Sequence, residues 1–320
     1  MNKKVIIPYQ FLFPLVFVEA IVKKSKVGGQ AIIEGVMMRS KQKISWAVRS
    51  PNGKTVIERF PFISLSKQYK ILSVPVIRGF INLYESLKIG YQALARSAQI
   101  AANERDQETS PRQDDQKEKI AFFMSFIVAL AVSLGIFMYL PMFISQIFLK
   151  NSVIGFNIMA GVIRITLFVL YLVLISLWKD IRRVFEYHGA EHKAIFTFED
   201  DKELTLENMR VYSTLHPRCG TSFLLLVMLI CIFLFSIIDA LVTGFIAPYP
   251  NVLARFLVHI ALIPLVAGLS YEVLKLSDRF QHISFIRLLI LPGLWLQKIT
   301  TKEPDDDQLQ VAAAALKASL

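Results

Sequence analysis

The chain has 320 residues, 54% of them hydrophobic and 19% charged, with a formal net charge of +11. A soluble domain of this length sits nearer about 45–50% apolar and about 25% charged, so a mean hydropathy of +0.48 argues against an ordinary soluble enzyme. Two cysteines, Cys219 and Cys231, are too few for a disulfide framework, and Lys/Arg-rich loops facing anionic lipid explain the basic balance more simply than nucleic acid, which is not expected as a partner.

Residues 1–26 form an apolar N-terminal extension. Asn2-Lys3-Lys4 followed by Val5 to Val22 resembles the start of a secretory signal. However, Pro8, Pro14 and Glu19 interrupt the run, three lysines follow it, and no small-residue cleavage site is obvious. The segment is read as peripheral, or as following a start placed too early.

Residues 27–104 read as a β-rich unit plus an amphipathic helix. Ala31 to Met38 predicts one strand. Lys43 to Arg49 and Thr55 to Phe60 alternate, and Ser50 to Lys54 joins them through Asn52-Gly53, a strong hairpin signal. Phe80 to Ile100 places Leu83, Leu87, Tyr91, Leu94 and Ala98 at helical spacing, which suits a helix lying against the membrane or the β unit. The charged stretch 105–119 reads as a disordered linker.

Residues 120–298 form the membrane domain. A bilayer crossing needs about 20 predominantly apolar residues, and four segments qualify: Ile120 to Leu149, Phe156 to Trp178, Phe223 to Ile246, and Val252 to Leu274. The second is expected to continue as a helix through Ile181 to Phe198. Ile283 to Leu296 is too short to span and reads as interfacial or re-entrant. The connections after the first and third spans carry little positive charge, whereas the loop 179–221 carries seven Lys/Arg residues. The positive-inside rule puts that loop, the N-terminal unit and the C-terminal segment 299–320 on the cytoplasmic side of the cell inner membrane. In the last segment Asp305 to Asp307 open a helix over Gln308 to Ala318.

The sharpest chemical signal is His188-Gly189-Ala190-Glu191-His192. On a helix His188 and His192 share a face and can reach one ion, and Glu191 is near enough to act as general base, the spacing of inverted zinc-peptidase motifs. The competing reading is a structural polar cluster at a membrane interface. His216-Pro217-Arg218-Cys219-Gly220-Thr221-Ser222 precedes the third span; a cysteine beside an arginine at a helix start suits a ligand or a nucleophile, while Thr221 or Ser222 provides a cap. Glu272, inside the apolar boundary of the fourth span, calls for a partner or a role and is a further candidate ligand. Arg164, Asp239 and His259 lie deeper and read as structural pairs.

Taken together, Gly28 to Arg39, Pro75-Val76-Ile77-Arg78-Gly79, His188 to Lys193, His216 to Ser222 and Leu296 to Pro304 resemble the signatures of the YqhQ-like family of bacterial polytopic membrane proteins. The resemblance covers residue 26 onward. It implies a domain of unknown function described as a predicted metal-dependent enzyme.

The expected protein is mainly α: a four-helix polytopic membrane protein with a small N-terminal β-rich cytoplasmic unit and a cytoplasmic C-terminal helix. The leading functional expectation is a membrane-embedded hydrolase using a divalent metal such as zinc. His188 and His192 bind it, Glu191 is the base, and Cys219, His216 or Glu272 completes the site. The rival is a non-enzymatic assembly, scaffold or regulatory factor, partnered by the bilayer and another membrane protein. A transporter comes third, because no internal repeat accompanies the four spans.

Overall fold

The computed structural model describes residues 27–102, 115–149, 151–217, 219–279 and 284–320. The extension 1–26 and most of the linker, 105–114, lie outside them. Four antiparallel strands, β1 (Gly28–Ile32), β2 (Gly35–Arg39), β3 (Lys43–Arg49) and β4 (Thr55–Pro61), form a meander in sequence order. The Asn-Gly hairpin forms as expected: Arg49 pairs with Thr55, and Gly53 takes the positive φ of 81°.

The single strand expected over Ala31 to Met38 is instead two strands, reversed at Ile33-Glu34. No turn residue marks the site. Glu34 adopts a φ of 51°, held by a bidentate ion pair with Arg183 and by the Arg49 N–H donating to its carbonyl at 2.7 Å. A distant arginine thus overrides local propensity.

Helix α1 (Leu65–Gln68) and a 3-10 turn (Lys70–Ser73) lead into α2 (Ile77–Ala102). Strand alternation serves two covered faces. Ile32, Met37, Ile44, Trp46 and Val48 pack against Ile89, Ala93 and Ile100 of α2. Val36, Met38 and Ala47 point the opposite way, into a core completed from the second half of the chain. The outer side of α2 exposes Phe80, Tyr84, Leu87, Tyr91 and Leu94, a stripe at alternating spacings of four and three.

Helix α3 (Asp115–Leu134) starts earlier than expected, so Asp115 to Lys119 are helical rather than linker. A π-helical turn (Gly135–Tyr139) joins it to α4 (Leu140–Leu149), followed by α5 (Val153–Ile175). The second apolar segment does not run on as one helix. The chain breaks at Ser176 to Trp178, Trp178 is extended, and α6 (Lys179–Glu199) starts anew with Asp180 in its first turn, complementing the helix dipole. The break lets α6 leave the apolar helices and pack on the sheet. Next come α7 (Leu206–Arg210), α8 (Gly220–Phe245), α9 (Val252–Ala261), α10 (Ile263–Arg279), α11 (Ser284–Thr300) and α12 (Asp306–Ser319).

Among the described residues three stretches are long and apolar enough to cross a membrane: Ile127–Leu149, Val153–Ile175 and Val227–Phe245. A fourth exists if α9 and the first part of α10, which meet at 52°, count as one. Pro264 follows that bend and has no N–H to continue the helix. The stretch read as interfacial is α11, a 17-residue helix with Pro292 inside it, packed against α8 and α5. Between α5, α8 and α9 a buried network centres on Asp239, whose carboxylate accepts from Asn157 and His259, both at 2.9 Å, with the Arg255 guanidinium 3.4 Å away. The structural pairing expected for Asp239 and His259 is present.

The C-terminal helix is no appendage. Asp305 and Gln308 form a capping box that starts α12. Leu309, Ala312 and Leu316 are buried with Ala190 and Ala194 of α6 against the sheet, and each buried leucine contributes about 1.5–3 kcal/mol. Ser45 of β3 donates to the Ala315 carbonyl at 2.6 Å. The sheet therefore lies between α2 on one side and α6 with α12 on the other.

Candidate metal centre

Three stretches distant in sequence meet at the C-terminal half of α6: the loop 211–219, the end of α11 with the segment after it, and β1. Helix α6 delivers His188 and, one turn later, Glu191 and His192. The Lys302 N–H donates to the Phe185 carbonyl at 2.9 Å, bringing the segment after α11 so near α6 that a Cβ on Gly189 would stand 2.1 Å from the Lys302 carbonyl oxygen. Gln297 grips the backbone of His216 from both sides: its Oε1 accepts from His216 N at 2.8 Å and its Nε2 donates to His216 O at 2.9 Å. That clamp fixes the loop carrying Cys219 just ahead of α8.

Both α6 imidazoles are oriented by main-chain carbonyls. His188 Nδ1 lies 2.8 Å from Thr300 O, and His192 Nδ1 bonds Thr214 O. A carbonyl only accepts, so each Nδ1 carries the proton and each Nε2 keeps its lone pair. His188 Nε2 faces Cys219 Sγ at 3.2 Å. His192 Nε2 is buried and faces the Cys219 thiol. One ligand atom from each of His188, His192 and Cys219 lies within 4.8 Å of the others. Two imidazoles oriented by carbonyls, plus a sulfur, are residue types that could hold a divalent metal, and outer partners of this kind orient metal-binding histidines elsewhere. The buried lone pair of His192 is the observation that fits an ion there.

Glu191 points toward β1, where the Gly29 N–H donates to its carboxylate. Burial pushes this carboxyl up to about 8; the neighbouring His188 pulls it down and Cys219 pushes it further up. Burial also holds the His192 imidazole below its usual range and brings His216 down to about 4.

The other candidates lie outside the three-residue group. The His216 ring lies tilted against those of Phe196 and His192, with ring centroids 4.4 and 5.6 Å away, and its Nε2 lies 3.5 Å from Glu199 Oε2. Glu272 forms a bidentate ion pair with Arg78 at the start of α2, including a 2.7 Å bond from Nε, and so ties the β unit to α10. The side chains of Thr221 and Ser222, expected as caps, lie outside the described residues. Lys193 is buried within the same helix and reaches Arg210 O at 3.1 Å and the carboxylate of Glu303.

Four contributors were given no role in the site by the sequence: Thr214, Thr300, Gly29 and Gln297. Thr214 and Thr300 act through their carbonyls, which residue type does not encode. Gly29 acts through its N–H and through the absence of a side chain. Gln297 carried a signal, being a polar residue at the end of an apolar helix beside the Thr300-Thr301 pair.

A family described as "Protein of unknown function (DUF1385)" matches residues 74–320, a range holding every residue of the centre except Gly29. Over 294 residues the chain is 31% identical to "Uncharacterized protein YqhQ" of Bacillus subtilis (strain 168), covering 89% of each chain. No solved structure matches it. The chain belongs to this family of proteins of unknown function.

Proposed function

We propose that the chain is a metal-dependent hydrolase embedded in the cytoplasmic membrane by four spans, with its centre and both terminal regions on the cytoplasmic side. The apolar stretches and the asymmetric distribution of Lys and Arg support the placement. One observation carries the chemistry: the imidazoles of His188 and His192 each spend Nδ1 on a carbonyl and turn Nε2 toward the volume shared with Cys219.

In this reading His188, His192 and Cys219 would hold the ion. A divalent metal there supplies Lewis acidity toward water and toward a carbonyl or phosphoryl oxygen. Glu191, whose carboxyl is raised by burial, would serve as the general base, and the Gly29 N–H holds that carboxylate in place. Gln297 fixes the loop that bears the sulfur.

The second reading, a non-enzymatic membrane factor, is favoured by the burial of the centre: His192 is 1% and Glu191 5% exposed, so a substrate needs an opening to reach them. Metal analysis by mass spectrometry of detergent-purified protein, beside a His188→Ala/His192→Ala variant, separates the two. Near-stoichiometric metal that disappears in the variant supports the hydrolase. Metal-free wild type, with a variant that is merely less stable, leaves the membrane factor.

A further inference from the structure

We propose that a cleft on the far side of β1 from Glu191 binds the phosphate-bearing headgroup of an anionic amphiphile at the bilayer surface. The cleft, of about 710 Å³, lies between the sheet, α2 and the end of α10. Its wall carries five cations: Arg39, Lys41, Lys67, Arg78 and Lys275. Two carboxylates stand nearby, and both are engaged. Glu272 is taken by Arg78, and Glu85 accepts from the Ser64 hydroxyl at 2.8 Å and the Leu65 N–H at 2.6 Å while lying 3.6 Å from Arg39. Lys275 also pulls on the Glu272 carboxylate, but among the described residues no carboxylate lies within ion-pair distance of Lys41, Lys67 or Lys275, so the five cations against two carboxylates leave a net positive wall. Ser66, Asn82 and Ser86 add hydroxyl and amide donors of the kind that complete a phosphate shell.

Two features argue for an amphiphile over a free anion. Met37, Phe62 and Ile89 give the same cleft an apolar floor. Its position also matches the headgroup level. The apolar part of α10 ends at Val273, and Tyr271 and Lys275, both lining the cleft, straddle that end. Helix α2 supplies Arg78, Asn82 and Ser86 to the cleft and carries the exposed stripe from Phe80 to Leu94, the pattern of a helix lying in the membrane interface. Val27, Gly28 and Gly29 line the cleft as well, so its occupant sits across one strand from Glu191.

The inference rests on the membrane placement proposed above but not on the metal. The full chain, purified in an uncharged detergent, is titrated with dihexanoyl phosphatidate, dihexanoyl phosphatidylcholine and inorganic phosphate, and the unfolding midpoint is followed. Phosphatidate should raise the midpoint most. A Lys41→Ala/Lys67→Ala/Lys275→Ala variant, which alters exposed side chains, should fold normally and bind phosphatidate at least about tenfold more weakly. An equal response to inorganic phosphate alone would mean a free-anion site and overturn the proposal, as would an unchanged response in the triple variant or no shift at all. Carbonate extraction of membranes tests the placement separately: a chain that washes off loses the membrane reading, whatever the titration shows.

Discussion

Gly29 presents its backbone N–H to the carboxylate of Glu191 at a separation that leaves no room for a side chain: an added Cβ would stand 2.7 Å from Oε1. The edge strand of the N-terminal sheet thus completes a centre whose remaining residues come from the second half of the chain. Gly29→Ala should lower stability by about 1–3 kcal/mol, the usual cost of overpacking. Gly28→Ala, one residue earlier and with nothing within 4 Å of the new atom, is the control and should be near neutral. Thermal unfolding in detergent measures both; equal effects would mean that Glu191 moves aside freely.

In the proposed metal site Cys219 and His216 are rival candidates for a third ligand, and their surroundings differ. Cys219 Sγ lies 3.2 Å from His188 Nε2, while His216 is directed at Glu199. Cobalt-loaded protein should show a near-ultraviolet thiolate charge-transfer band that Cys219→Ala abolishes and His216→Ala retains. Absorption spectroscopy decides it, and a band that survives Cys219→Ala removes the sulfur from the set. Metal affinity should also fall on acidification, because protons compete for the two Nε2 lone pairs and the sulfur.

How much of this was legible in the sequence depends on where each signal lives. The Asn52-Gly53 hairpin, the apolar stretches and the i, i+4 histidine pair are local patterns, and the structure retains all three. The reversal at Glu34 was not legible, because its cause is Arg183, 149 residues away. Nor was the break at Trp178, where packing of α6 on the sheet and α12 outweighs a continuous apolar stripe. Glu272 drew attention correctly as a costly carboxylate at an apolar boundary, but residue type could not say whether its partner was a metal or Arg78.

That pairing gives a third prediction. Arg78 and Glu272 are both partly exposed, with side chains at 27% and 22%, so solvent screens the pair and its coupling should be on the order of 1 kcal/mol. A double-mutant cycle with Arg78→Ala and Glu272→Gln, read by unfolding midpoints, measures it. Metal content should be unchanged in Glu272→Gln. Loss of metal in that variant with an intact fold would restore Glu272 to the ligand set.

The last prediction concerns the π-helical turn in the first apolar stretch. Pro141 has no N–H to offer the Phe137 carbonyl four residues earlier, and Arg164 of α5 donates its Nε to that oxygen at 2.8 Å. An arginine among apolar helices is costly unless a group there requires it; here the orphaned carbonyl does. Arg164→Met removes the cation and leaves the carbonyl without that donor, an omission that costs about 1–3 kcal/mol in a buried site. In a Pro141→Ala background the helix supplies its own N–H, and the same substitution should cost about 1–2 kcal/mol less. The cycle is measured by reversible unfolding in mixed micelles. Additivity within about 0.5 kcal/mol would show the two sites to be independent, and Arg164 would then owe its place to something other than the proline.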